Sequence, residues 1–111
     1  MKIIFLNARH EALANDQIML AKKFDRKGMI TSIDIIATLD VLKAADSLAD
    51  IPPSFRPHPL HGKRKGEFAV NVTKKERTIF RPSQSEGHEY RIDNPTTITE
   101  IEIVELCVDY H

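Results

Sequence analysis

Apolar residues occur in short runs along this chain, and the spacing between them changes twice. "MKIIFL" gives way at Asn7, Arg9, His10 and Glu11, far too soon for a secretory core and well suited to a first strand. From Ala8 to about Asp25, Leu13, Leu20 and Phe24 recur at helical spacing, with Ile18 and Ala21 widening the stripe. Asn7 is placed to cap this helix, and "RKG" at 26–28 to close it. A second helix is expected from Thr31, whose hydroxyl forms a variant capping box with Asp34; Ile35, Leu39, Leu42 and Ala45 then face the core. The prolines at 52, 53, 57 and 59 remove backbone donors and exclude helix from "DIPPSFRPHP".

Beyond Gly66 the period falls to two. Phe68, Val70 and Val72 alternate with Glu67, Ala69 and Asn71, the pattern of a half-buried strand. "TKKE" reads as a turn. In "RTIFRP", Thr78 and Phe80 point one way and Arg77, Ile79 and Arg81 the other, so a core position for Phe80 puts both arginines on the opposite face. Residues 83–96 read as a polar loop, and "ITEIEIVEL" as the last strand. The order β, α, α, β, β, β predicts an α+β fold, with two N-terminal helices packed on one face of a small, mostly antiparallel four-stranded sheet. The other face is left to solvent or a partner.

The 111 residues fit one domain, with charged (29%) and hydrophobic (41%) fractions of ordinary globular usage. No stretch approaches the roughly 20 apolar residues that span a bilayer, so a cytoplasmic protein without membrane association is expected. Cys107, the single cysteine, has no internal disulfide partner and reads as a small apolar filler between Leu106 and Val108. The zero net charge conceals an asymmetry. Residues 56–82 hold eight Lys or Arg against two acids, +6, and the remainder eight against fourteen, −6. A local cationic field of this kind steers and docks polyanions whatever the total charge.

Four pieces of sequence supply candidate chemistry for the open face: His58 and His61, then Lys63, Arg64 and Lys65, then Arg77 and Arg81, and the terminal Tyr110 and His111. Cleavage of RNA by its own 2'-hydroxyl needs a base for that proton, a cation for the developing phosphorane charge and an acid for the leaving oxygen. It needs no metal and no cofactor. Imidazole serves as base or acid near neutral pH, and guanidinium holds two phosphate oxygens at once. Each piece also has a plainer reading. The histidines fill turns, "GKRKGE" is a solvated turn with gatekeeping charges, and Arg77 and Arg81 pair with Glu67, Glu100 or Glu102 across the strands. Tyr110 and His111 fray at a chain end.

"RPHPLHGKRKGEFAVNVTKKERTIFRP" together with the terminal "VDYH" resembles the RelE/ParE superfamily of bacterial toxins, in its HigB-like plasmid-maintenance killer branch, whose members read "HPLKGDRKGQFAVDL", "RLIFEP" and "DYH". The resemblance implies the RelE-like toxin fold and a type II toxin neutralised by a cognate antitoxin, often of helix-turn-helix type. It also implies a metal-independent endoribonuclease that cleaves mRNA on the ribosome. By position, His58, Lys65, Arg77, Tyr110 and His111 would be catalytic, and His61, Lys63, Arg64 and Arg81 would bind substrate. His61 stands where the family pattern has lysine, and Arg81 where it has an acid. Two alternatives stay open: a ParE-like toxin that inhibits DNA gyrase by binding, and a decayed toxin that only binds its antitoxin. The nuclease reading requires the imidazoles and cations to border one groove.

Overall fold

The computed structural model describes residues 1–109. Strands β1 (Lys2–Phe5), β2 (His58–Pro59), β3 (Phe68–Asn71), β4 (Glu76–Pro82) and β5 (Glu100–Asp109) form one sheet in the order β1-β5-β4-β3-β2. β1 runs parallel to β5, and the other three pairings are antiparallel. Helices α1 (Ala8–Ala14), α2 (Gln17–Phe24) and α3 (Thr31–Ala44) separate β1 from β2. The α+β class and the mostly antiparallel sheet are as expected, but the counts are corrected. Among the described residues there are three helices, not two, and five strands, not four.

Each correction has a local cause. Asn7 caps α1 as anticipated, accepting the Arg9 N–H at 2.8 Å. Two turns later Asp16 Oδ1 accepts the N–H groups of both Ile18 and Met19 at 3.1 Å, starting a new helix inside what the apolar period reads as a single one. The Thr31 capping box does not form. Asp25 reaches across the α2–α3 turn instead, its Oδ1 accepting the Ser32 N–H at 2.8 Å and its Oδ2 the Ser32 hydroxyl at 3.0 Å. The added strand, β2, is two residues long and includes Pro59. It lies at the sheet edge, where the missing N–H costs no ladder bond. Leu60 N–H donating to the Glu67 carbonyl at 2.8 Å extends its pairing.

The main core forms between α3 and the sheet. Ile35, Leu39 and Leu42 meet Phe68, Val70, Phe80, Ile101, Ile103 and Leu106, all of them buried. Phe68 and Phe80 are register partners and stack at 6.0 Å between centroids. Three steps along β4 from Arg77 to Phe80 match five along β5 from Val108 to Ile103, so β5 bulges. The bulge lets Ile103 and Leu106, an odd number of residues apart, both enter the core. Thr78, fully buried, donates its hydroxyl to the Leu106 carbonyl at 2.7 Å. A backbone acceptor in the irregular stretch is thereby satisfied.

The opposite face carries a second, small apolar cluster of Leu60, Ala69 and Ile79 with Val104 and Val108 against it. Arg77 and Arg81 flank Ile79 along β4, as the two-residue period requires. The cationic "GKRKG" turn is bounded by Gly62 at φ 64° and Gly66 at φ 93°, left-handed conformations that a β-carbon would strain.

Candidate functional site

β3 and β4 pair in an unbroken register, which sets the geometry of the open face. His58 pairs with Ala69, Ala69 with Ile79, and Asn71 with Arg77. Two strand spacings and two residues therefore separate the Cα atoms of His58 and Arg77, about 12 Å. That gap is short enough for an imidazole and a guanidinium to close on one phosphodiester. Both side chains line a groove of about 960 Å³ at the β2 edge, together with Arg56, Asn71 and the prolines 53, 57 and 59.

His58 is exposed, and its Nδ1–H donates to the Arg56 carbonyl at 2.7 Å. A carbonyl only accepts, so the neutral ring carries its proton on Nδ1 and presents an unprotonated Nε2, the form a general base needs. Arg56 adopts a left-handed conformation at φ 50°, ψ 55°, costly for a residue with a β-carbon. The strain sits at the residue whose carbonyl orients the ring. From the sequence Arg56 reads only as a charge. Pro57 disfavours the right-handed helical region for the residue before it, without indicating the left-handed one that Arg56 takes.

Arg77 Nη1 is shared among the carbonyls of Thr73 at 3.1 Å, Lys74 at 3.3 Å and Glu76 at 3.0 Å. The guanidinium is anchored to the β3–β4 turn by neutral acceptors and keeps its full charge. Nε and Nη2 make no such bond among the described residues. A guanidinium fixed in this way can hold an anion through Nε and Nη2.

Lys65 and Arg81 line a different groove, of about 530 Å³, with Gly66, Glu67, Gln84, Tyr90 and Ile92. Arg81 Nε donates to Glu102 Oε2 at 2.8 Å, and Glu102 Oε1 accepts the Gln84 N–H at 2.8 Å. Glu102 is 5% exposed and spends both oxygens inside the protein. Its charge offsets that of Arg81, the cross-strand pairing that the plainer reading anticipated. Arg64 likewise bonds Glu67 at 2.8 Å. His61 and Lys63 stand exposed on the connection between β2 and β3 and line neither groove. Tyr110 and His111 lie outside the described residues. Of the residues picked out by type, His58 and Arg77 line one groove and Lys65 and Arg81 the other.

The loop 83–99, which from the sequence reads only as polar, supplies further residues. His88 Nδ1–H donates to the Ser83 carbonyl at 2.9 Å, and its Nε2 accepts the Thr99 N–H at 3.2 Å. Its ring stacks on Tyr90 at 5.0 Å. Gln84 Nε2 donates to the Pro82 carbonyl at 3.1 Å and to the Tyr90 hydroxyl at 2.8 Å. Cys107 is half-buried, and burial, with the Glu76 carboxylate beside it, pushes its thiol up to about 12. That thiol is a filler rather than a nucleophile.

No protein-family model and no curated protein matches the sequence. Among solved structures, the chain is similar to the YoeB/ParE toxin from Agrobacterium tumefaciens, with a TM-score of 0.57 at 15% identity, covering 100% of both chains. At this identity the likeness establishes a shared fold. No helix among the described residues is long and apolar enough to cross a membrane.

Proposed function

We propose that this chain is the toxin of a type II toxin–antitoxin system, in the HigB-like branch of the RelE/ParE superfamily, and that it cleaves mRNA on the ribosome. The carrying observation is the juxtaposition on one groove of His58, with Nδ1–H held by a carbonyl, and Arg77, bonded among the described residues to neutral carbonyls only. The fold shared with a YoeB/ParE toxin and the "HPLHGKRKGEFAV" resemblance support the same reading. In it, His58 Nε2 accepts the proton of the 2'-hydroxyl, whose oxygen attacks the adjacent phosphorus. Arg77 holds the phosphorane oxygens as charge develops, and the 5'-oxygen leaves with a proton. His111 is assigned to supply that proton and Tyr110 to orient the substrate, on the resemblance. On the resemblance, Lys65 with Arg64, Lys63 and His61 positions flanking phosphates, and Arg81, tied to Glu102, positions the loop beside them.

Charge complementarity assigns the antitoxin an acidic segment over the 56–82 surface, of helix-turn-helix type by the resemblance. The complex should weaken as salt rises from about 0.05 to 1 M. Salt-independent affinity would exclude this mode.

Mapping message 5' ends after adding the free protein to translating ribosomes tests the reading: new, discrete ends are expected, and intact messages at stoichiometric protein would refute it. Growth arrest that survives alanine at His58, Lys65, Arg77 and His111 together would favour gyrase inhibition instead. Absence of arrest by the wild type without antitoxin would indicate a chain that only binds its partner.

A further inference from the structure

We infer that the groove between Lys65, Arg81 and the 83–92 loop is a nucleobase site, in which Gln84 Oε1 accepts a hydrogen bond from an exocyclic amine of adenine, cytosine or guanine. The inference deepens the proposed function by naming the chemistry that a flanking nucleotide must present. It starts from the orientation of one amide. The Pro82 carbonyl can only accept, so the Gln84 group 3.1 Å from it must be the NH₂. The same nitrogen gives its second hydrogen to the Tyr90 hydroxyl at 2.8 Å. Both donors are spent inside the protein, and the side chain offers the groove its acceptor alone.

Gln84 is exposed, but it is bonded at both its backbone N–H and its side-chain NH₂. The Gln84 backbone N–H is fixed by buried Glu102, which also fixes Arg81, so amide and guanidinium belong to one bonded unit. Tyr90, the second support of the amide, is backed by the His88 ring, and His88 is bound to backbone at both nitrogens. A site held this firmly discriminates, because its acceptor does not swing away from a wrong partner.

The rest of the groove suits a nucleotide. Ile92, 52% exposed, and Tyr90 give apolar and aromatic surface for a flat ring. Lys65, exposed at the groove, supplies a cation for the attached phosphate. The acid in the lining, Glu67, is engaged by Arg64 at 2.8 Å. Uracil fits worst, since its single N3–H lies between two carbonyl oxygens that oppose Oε1. Adenine, cytosine and guanine each extend an amine clear of the ring.

Titration of the free protein with the four nucleoside 5'-monophosphates, followed through backbone and side-chain amide resonances, tests this whether or not the protein cuts RNA. Adenosine, cytidine or guanosine monophosphate should shift the Gln84 and Arg81 signals, with uridine monophosphate about tenfold weaker. Gln84→Leu should erase that difference while leaving phosphate-driven shifts near Lys65. Tyr90→Phe, which keeps the ring and removes the hydroxyl that orients the amide, should reduce it. Equal response to all four nucleotides, or a preference that survives Gln84→Leu, would overturn the inference. Intact messages in the ribosome assay beside a clear base preference here would sink the nuclease reading and leave this site standing.

Discussion

Arg77 and Arg81 lie four residues apart on β4, about 13 Å along one strand, yet their surroundings differ in kind. Arg81 meets a buried carboxylate, and Arg77 meets three backbone carbonyls. The first arrangement compensates a charge and ties a loop to the sheet. The second orients a charge without compensating it. A cation is available to a phosphate to the extent that its fixed partners are dipoles rather than anions, so the two arginines should fail in different ways when removed.

Removing Arg77 should have the largest effect. Arg77→Ala is expected to reduce cleavage about 100-fold or more, on the scale of losing an electrostatic stabiliser of a transition state, with little change in the unfolding midpoint. His58→Ala should cost a comparable 10²–10⁴-fold, the range for a general base. If either variant instead lowers stability as much as activity, the contrast with Arg81 collapses.

Thr78→Val should come next. Its bond to Leu106 lies at the β5 bulge between the two arginines, and leaving that carbonyl buried without a donor should cost about 1–3 kcal/mol in urea unfolding. No loss would mean that the bulge needs no such anchor. Arg81→Ala should cost about 1 kcal/mol, less than for a fully buried pair because the arginine side chain is 39% exposed. The double variant with Glu102→Ala should recover part of that loss, since neither charge is then stranded. Additive losses would mean that Arg81 and Glu102 are not coupled. Smallest is the effect at Cys107: its thiol should resist alkylation at pH 8 in the native protein and react on unfolding. Rapid native labelling would contradict the packing at the Glu76 end of β4.

The periodicities carried most of the fold. Leu39 and Leu42 at helical spacing, and Phe68 and Val70 at spacing two, enter the core that they predict. What failed to show were features decided by one side chain or by distant partners. Asp16 splits a helix that the apolar stripe reads as continuous, because the stripe does not register a cap. Asp25 replaces the Thr31 box from seven residues before Ser32. At the site, residue types were legible: histidine before "PLHG", arginines on alternate positions. Their division into two grooves was not. Whether an arginine faces Glu102 or an open groove depends on the register of β4 against β5, which the bulge shifts. Gln84 and Tyr90 sit in a polar loop without period, and their places come from Glu102, on another strand, and from His88, which bonds the Ser83 carbonyl and the Thr99 N–H.

The most direct test compares message cleavage on translating ribosomes by wild type, Arg77→Ala and Arg81→Ala at equal concentrations of folded protein. The account predicts discrete cuts by wild type, loss of about 100-fold or more in Arg77→Ala, and activity within about tenfold of wild type in Arg81→Ala. Equal losses in the two variants, or undiminished cutting without the Arg77 guanidinium, would contradict it.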